Sequence, residues 1–67
     1  MAIPGQVIEI KEDSVIVDYS GEKREAGTLL LQPKLNEYVL VSQKQVVEIL
    51  TKKQAQKIIE LYDGLND

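Results

Sequence analysis

The groups with which this chain could move a proton or hold a ligand are few in kind: eleven carboxylates, eight Lys and Arg together, and three tyrosines, with no cysteine and no histidine. Without imidazole, the commonest general base and the commonest zinc ligand are gone. Without thiolate there is no soft metal ligand, no cysteine nucleophile and no disulfide framework. Triad hydrolases, metallohydrolases and zinc ribbons are excluded by inventory. A carboxylate serves as a general acid only where burial or a charged neighbour shifts its pKa. Glu9, Glu12, Asp13 and Asp18 fall on outward parities or in a turn and read as a solvated face. The run Glu22-Lys23-Arg24-Glu25 reads as an exposed edge strand whose charges discourage pairing with other chains. Tyr19, Tyr38 and Tyr62 are the only aromatics, too few for a nucleic-acid stacking platform and better used in packing. The expectation is a chain that is not an enzyme and has no metal site and no cofactor.

The elements that must position these residues divide the chain unevenly. Twelve of the 14 Val and Ile residues precede position 51, whereas the last 17 residues are rich in Lys, Gln, Glu, Ala and Leu. Strands come first, then one helix. In Gln6–Lys11 the two-residue period sets Gln6, Ile8 and Ile10 on one face, read as the inner one, and Val7, Glu9 and Lys11 on the other. Glu12-Asp13-Ser14 is a turn; Val15, Val17 and Tyr19 share the next inward face; Ser20-Gly21 is a tight turn into Glu22–Ala26. Thr28–Leu31 is too short to define a period before Pro33 breaks the chain. Tyr38–Ser42 and Val46–Leu50 are the last strands, joined across Gln43-Lys44-Gln45. Five short strands suggest a small β-barrel over about residues 5–50, because closure removes exposed edges.

Thr51-Lys52-Lys53-Gln54 matches a capping box, with Leu50 and Ala55 as its hydrophobic staple. Ala55, Ile58, Ile59 and Tyr62 follow at helical spacing as an apolar stripe that can close one side or end of the barrel. The predicted helix covers about residues 52–63, with Gly64 placed to end it.

At 67 residues the chain reads as a single domain, residues 1–67, and as a monomer. A net charge of −3 and a pI near 4.8 have the wrong sign for a protein that neutralises phosphates, so nucleic acid is disfavoured. No stretch approaches a membrane span and no basic region precedes an apolar run at the N-terminus, so the expected location is the cytoplasm. Ile3-Pro4-Gly5 is a turn that starts the first strand and leaves a short apolar arm, either tucked into the barrel or presented to a partner.

Several spaced segments resemble the HypC/HupF hydrogenase-maturation chaperones. Ala2-Ile3-Pro4-Gly5-Gln6-Val7 is similar to the end of that family's N-terminal signature, Met-Cys-Leu-Ala-Ile-Pro-Gly followed by Lys, Gln or Arg. Val17-Asp18-Tyr19-Ser20-Gly21 with Arg24 resembles its hairpin, and Tyr38-Val39-Leu40-Val41 its Asp-Tyr-Val-Leu-Val strand, here introduced by Asn36-Glu37 instead of Gly-Asp. The resemblance covers nearly the whole chain. It implies a five-stranded OB-like β-barrel with one C-terminal α-helix, binding a HypD-type maturation protein, a [NiFe]-hydrogenase large-subunit precursor, or both. In the family an N-terminal cysteine and a histidine after the Tyr-Val-Leu-Val strand attend the iron. Here Ala2 follows Met1 directly, Ser42 stands at the histidine position, and Gln43-Lys44-Gln45-Val46 replaces the usual Ala-Gly-Phe-Ala. The departures imply a divergent member that keeps the barrel and a partner surface without ligating iron. The expected partner-binding residues are Ala2, Ile3, Pro4, Gly5 and Gln6 of the arm with Ser42 and Gln43 of the neighbouring loop. An OB-like module for another protein or, less in keeping with the charge, for nucleic acid is the competing reading. A metabolite site is a third, for which a filled barrel interior leaves little room.

Overall fold

The computed structural model describes residues 3–65, with side chains described as far as residue 61. Its elements are β1 (Gly5–Ile10), β2 (Ser14–Tyr19), β3 (Glu22–Gly27), β4 (Tyr38–Ser42), β5 (Gln45–Leu50) and α1 (Lys52–Leu65). The strands close in the order β1-β2-β3-β5-β4, with β4 returning beside β1. This Greek-key order makes the chain mainly β: an OB-like five-stranded β-barrel plus a C-terminal helix.

Each turn has a local cause. Ser20 (φ 56°) and Gly21 (φ 102°) form the tight β2–β3 hairpin, and the Gly21 N–H donates to Asp18 Oδ1 at 2.8 Å. Positive φ at both central residues matches the right-handed twist of the flanking strands. The β4–β5 turn has the same form at Gln43 (φ 52°) and Lys44 (φ 63°), so Gln45, expected in the connection, is the first residue of β5.

The core is built from small apolar side chains: Val7, Val15, Val17, Ala26, Val39 and Val46, with Tyr19, Leu31, Val41 and Ile49 packed around them. The inward face of β2 is as expected, but that of β1 is not. Val7 is fully buried, whereas Ile10 is 52% exposed. The pairing of β1 with β2 slips between Val7 and Glu9, so that Val7 stands opposite Val17 and Ile10 opposite Val15. A β-bulge interrupts the two-residue alternation, so that Val7, which was expected to face outward, turns to the core, while Ile10, opposite Val15 at the last position of β1, is left largely exposed.

Thr28–Leu31 is not a strand: Leu29 and Leu30 point to solvent, Leu31 packs on the core and Pro33 is buried. The connection re-enters the barrel where the Val7 N–H donates to Glu37 O at 2.9 Å and the Asn36 N–H to Val7 O at 2.8 Å.

The capping box forms as expected. The Thr51 N–H donates to Gln54 Oε1 at 3.0 Å and the Gln54 N–H to Thr51 Oγ1 at 3.1 Å, above the buried pair Leu50 and Ala55. Helix α1 packs against β4 and β5, with Ile58 and Ile59 half-buried; the side chain of Tyr62 lies outside the described residues. The helix continues to Leu65, past Gly64 and the expected end at 63. One glycine does not break a helix whose interior hydrogen bonds are in place.

Candidate functional site

The barrel is closed between β3 and β5 by a single parallel bridge, Gly27↔Gln45. Beyond that bridge the rest of β3 has no strand neighbour on this side among the described residues, and a cleft of about 460 Å³ opens along it. Val17, Ala26 and Val41 supply apolar floor, Ile3 covers one flank, and Arg24, Gln43 and Lys44 stand at the rim.

Both flanks are placed by backbone pairing. Gly5 pairs with Val39 and Gln6 with Tyr38, so continuing that register brings Ile3 opposite Val41. The approach requires glycine at position 5, since a β-carbon there would overlap Val17 Cγ1 and come within 2.8 Å of the Tyr19 ring. On the other flank the Gly27 N–H donates to Lys44 O at 2.8 Å, which ties the β4–β5 turn to the end of β3. The Gln45 side chain lies against Gly27, and its Oε1 accepts from the Leu29 N–H at 3.4 Å.

The charges along β3 are mostly taken. Arg24 Nη2 bonds Glu22 Oε1 at 2.5 Å, an exposed pair of small energetic value. Glu25 Oε2 accepts from Ser14 Oγ at 2.6 Å and lies 3.6 Å from Lys11 Nζ. The Ser14 hydrogen bond, then the Lys11 charge, hold the Glu25 carboxyl below its ordinary value. Burial pushes the Tyr19 phenol up, with Arg24 opposing the shift, so the ring stays a neutral donor in the cleft wall. The two carboxylates that line the cleft, Glu22 and Glu25, are thus exposed and already paired.

Of the residues expected to bind a partner, Ile3 and Gln43 line this cleft together. Pro4 and Gly5 of the arm are buried. Gln6 is half-buried on the outer face, opposite Asp18, with its Nε2 donating to Asn36 O at 3.4 Å, and Ser42 is exposed at the end of β4, beside the cleft and not in its lining. Ala2 lies outside the described residues. Tyr19, Arg24 and Lys44 were not among the expected residues, yet all three line the cleft. A signal for Arg24 was present: a two-residue turn at Ser20-Gly21 sets it opposite the inward Val17.

Among the described residues no group of three or more His, Cys, Asp or Glu is placed to hold a metal ion, and no helix is long and apolar enough to cross a membrane. Fold and cleft together define a small OB-like barrel with a part-apolar, part-charged groove along one strand. The model of the HupF/HypC family matches residues 1–62, and the chain belongs to that family, one of hydrogenase-maturation chaperones. A comparison with curated proteins found no match.

Proposed function

We propose that this chain is a non-enzymatic assembly factor that binds a HypD-type maturation protein, a [NiFe]-hydrogenase large-subunit precursor, or both, acting in the cytoplasm as a monomer. The observation that carries the reading is the meeting of Ile3 and Gln43 on one cleft, because the arm and the turn come from opposite ends of the barrel sequence. Apolar burial of a partner segment against Ile3 and Val41, with Gln43 and the backbone of the turn as hydrogen-bonding groups, supplies the contact. Pro4 and Gly5 anchor the start of β1, Ser42 adjoins the turn, and Ala2 and Gln6 are the remaining residues assigned to the contact by the family resemblance. Iron with its cyanide and carbonyl ligands is the family's cargo. None of the 67 residues is Cys or His, so the soft donors such iron prefers are missing and this chain contributes the protein contact alone.

The test is co-purification from native cells under anaerobic conditions, using a C-terminal tag, beside Ile3→Asp. Recovery of either partner with the wild type, and its loss with Ile3→Asp at unchanged folding, is the expected result. Equal recovery with Ile3→Asp removes the arm from the site. Infrared bands of iron-bound cyanide and carbonyl on the purified chain would overturn the reading without iron ligation.

A further inference from the structure

The free edge of β3 carries its own hydrogen-bonding pattern. The two-residue turn at Ser20-Gly21 makes Tyr19↔Glu22 a hydrogen-bonded pair, and the alternation of an antiparallel ladder makes Val17↔Arg24 and Val15↔Ala26 the next two. Glu22, Arg24 and Ala26 therefore spend their backbone groups on β2. Lys23, Glu25 and Gly27 direct theirs the other way, and the Gly27 N–H bond to Lys44 O confirms the direction. Past that bond, the N–H and C=O of Lys23 and Glu25 have no partner among the described residues.

We propose that this edge takes an extended segment of the partner as an added β-strand, which deepens the partner-binding reading above and rests on it. The edge borders the apolar floor of Val17, Ala26 and Val41, so alternate side chains of the added strand enter the cleft. Charge selects the occupant. Glu22 is neutralised by Arg24, and Glu25 is engaged by Ser14 and Lys11. Lys23 and Lys44, on either side of the gap, form no ion pair among the described residues. The segment that fits is extended, with small branched apolar residues alternating with acidic ones.

Lys23→Pro tests the edge directly, because it deletes an edge-facing N–H that the β2 ladder does not use, a substitution that edge strands accommodate. Lys23→Ala is the control that removes the charge and keeps the N–H. The first probe is a short capped peptide alternating valine and glutamate, added to isotope-labelled protein and followed by amide shifts and hydrogen exchange. Protection of the Lys23 and Glu25 amides, roughly tenfold weaker binding to Lys23→Pro and a smaller loss with Lys23→Ala are expected. An N-methylated version of the peptide should not bind. If saturating peptide leaves those amides unprotected, or both variants bind it as wild type does, the proposal is wrong. Concentration-dependent self-association that protects the same amides would also overturn it, making a second copy the occupant. The second probe is the purified HypD-type protein. Its failure to bind wild-type chain counts against the partner reading, whereas equal binding to wild type and Lys23→Pro counts against strand addition alone.

Discussion

Lys44 shows what a single residue spends to shape the cleft. Its φ of 63° and the 52° of Gln43 lie in the left-handed region, where a β-carbon crowds the backbone. Hairpin turns of this form ordinarily carry Asn-Gly. The strain is held in place by the bond from the Gly27 N–H to Lys44 O and by the β4–β5 ladder on both sides. Lys44→Gly should therefore raise stability by roughly 0.5–1 kcal/mol, the relief of strain exceeding the extra freedom glycine gives the unfolded chain. Urea unfolding measures it, and a lower midpoint would mean that the Lys44 side chain contributes packing which outweighs the strain. The same substitution removes a rim cation from the cleft, so a gain in stability joined to weaker partner binding is the expected pairing.

Among the elements, β3 is the one whose sequence looks least like a barrel strand, and its outer face is stabilised by charge more than by burial. Glu25 joins β3 to Ser14 of β2 and to Lys11 of the preceding turn. Because those partners favour the ionised carboxyl, the folded value lies below the usual 4.5. A group depressed in this way contributes its stability in full above 4.5, and the contribution is lost as pH falls through the lower folded value. Glu25→Gln should be less stable than wild type at neutral pH, with the gap closing on acidification. Unfolding midpoints across a pH series read this out, and a gap that stays constant into acid would assign the effect to packing. Helix α1 is held differently, through its capping box and the Leu50 and Ala55 staple at its first turn, with Ile58 and Ile59 half-buried beyond it.

The whole molecule rests on a core of small side chains, in which the largest fully buried side chains among the described residues are five valines. A chain of this length has total stability of roughly 3–10 kcal/mol. Val39→Ala, at the strand that closes β1 onto β5, should cost about 2–3 kcal/mol in urea unfolding, a large share of that total. A loss under about 1 kcal/mol would show that the barrel can collapse around the missing methyls. By itself the sequence determined what depends on neighbours a few residues apart. The Thr51–Gln54 box, the inward face of Val15, Val17 and Tyr19, the Ser20-Gly21 hairpin and the family signature at either end of the barrel were all legible. The same locality explains what was misread or left open. The bulge that turns Val7 inward exists only against β2, and Leu31 has a role only where the β3–β4 connection meets the core. The cleft was decided by the tertiary structure alone, since it arises where β3 meets β5 at one bridge and parts from it. No periodicity in either strand encodes that gap, because it depends on how distant pairs such as Gly5↔Val39 and Gly27↔Gln45 close the barrel.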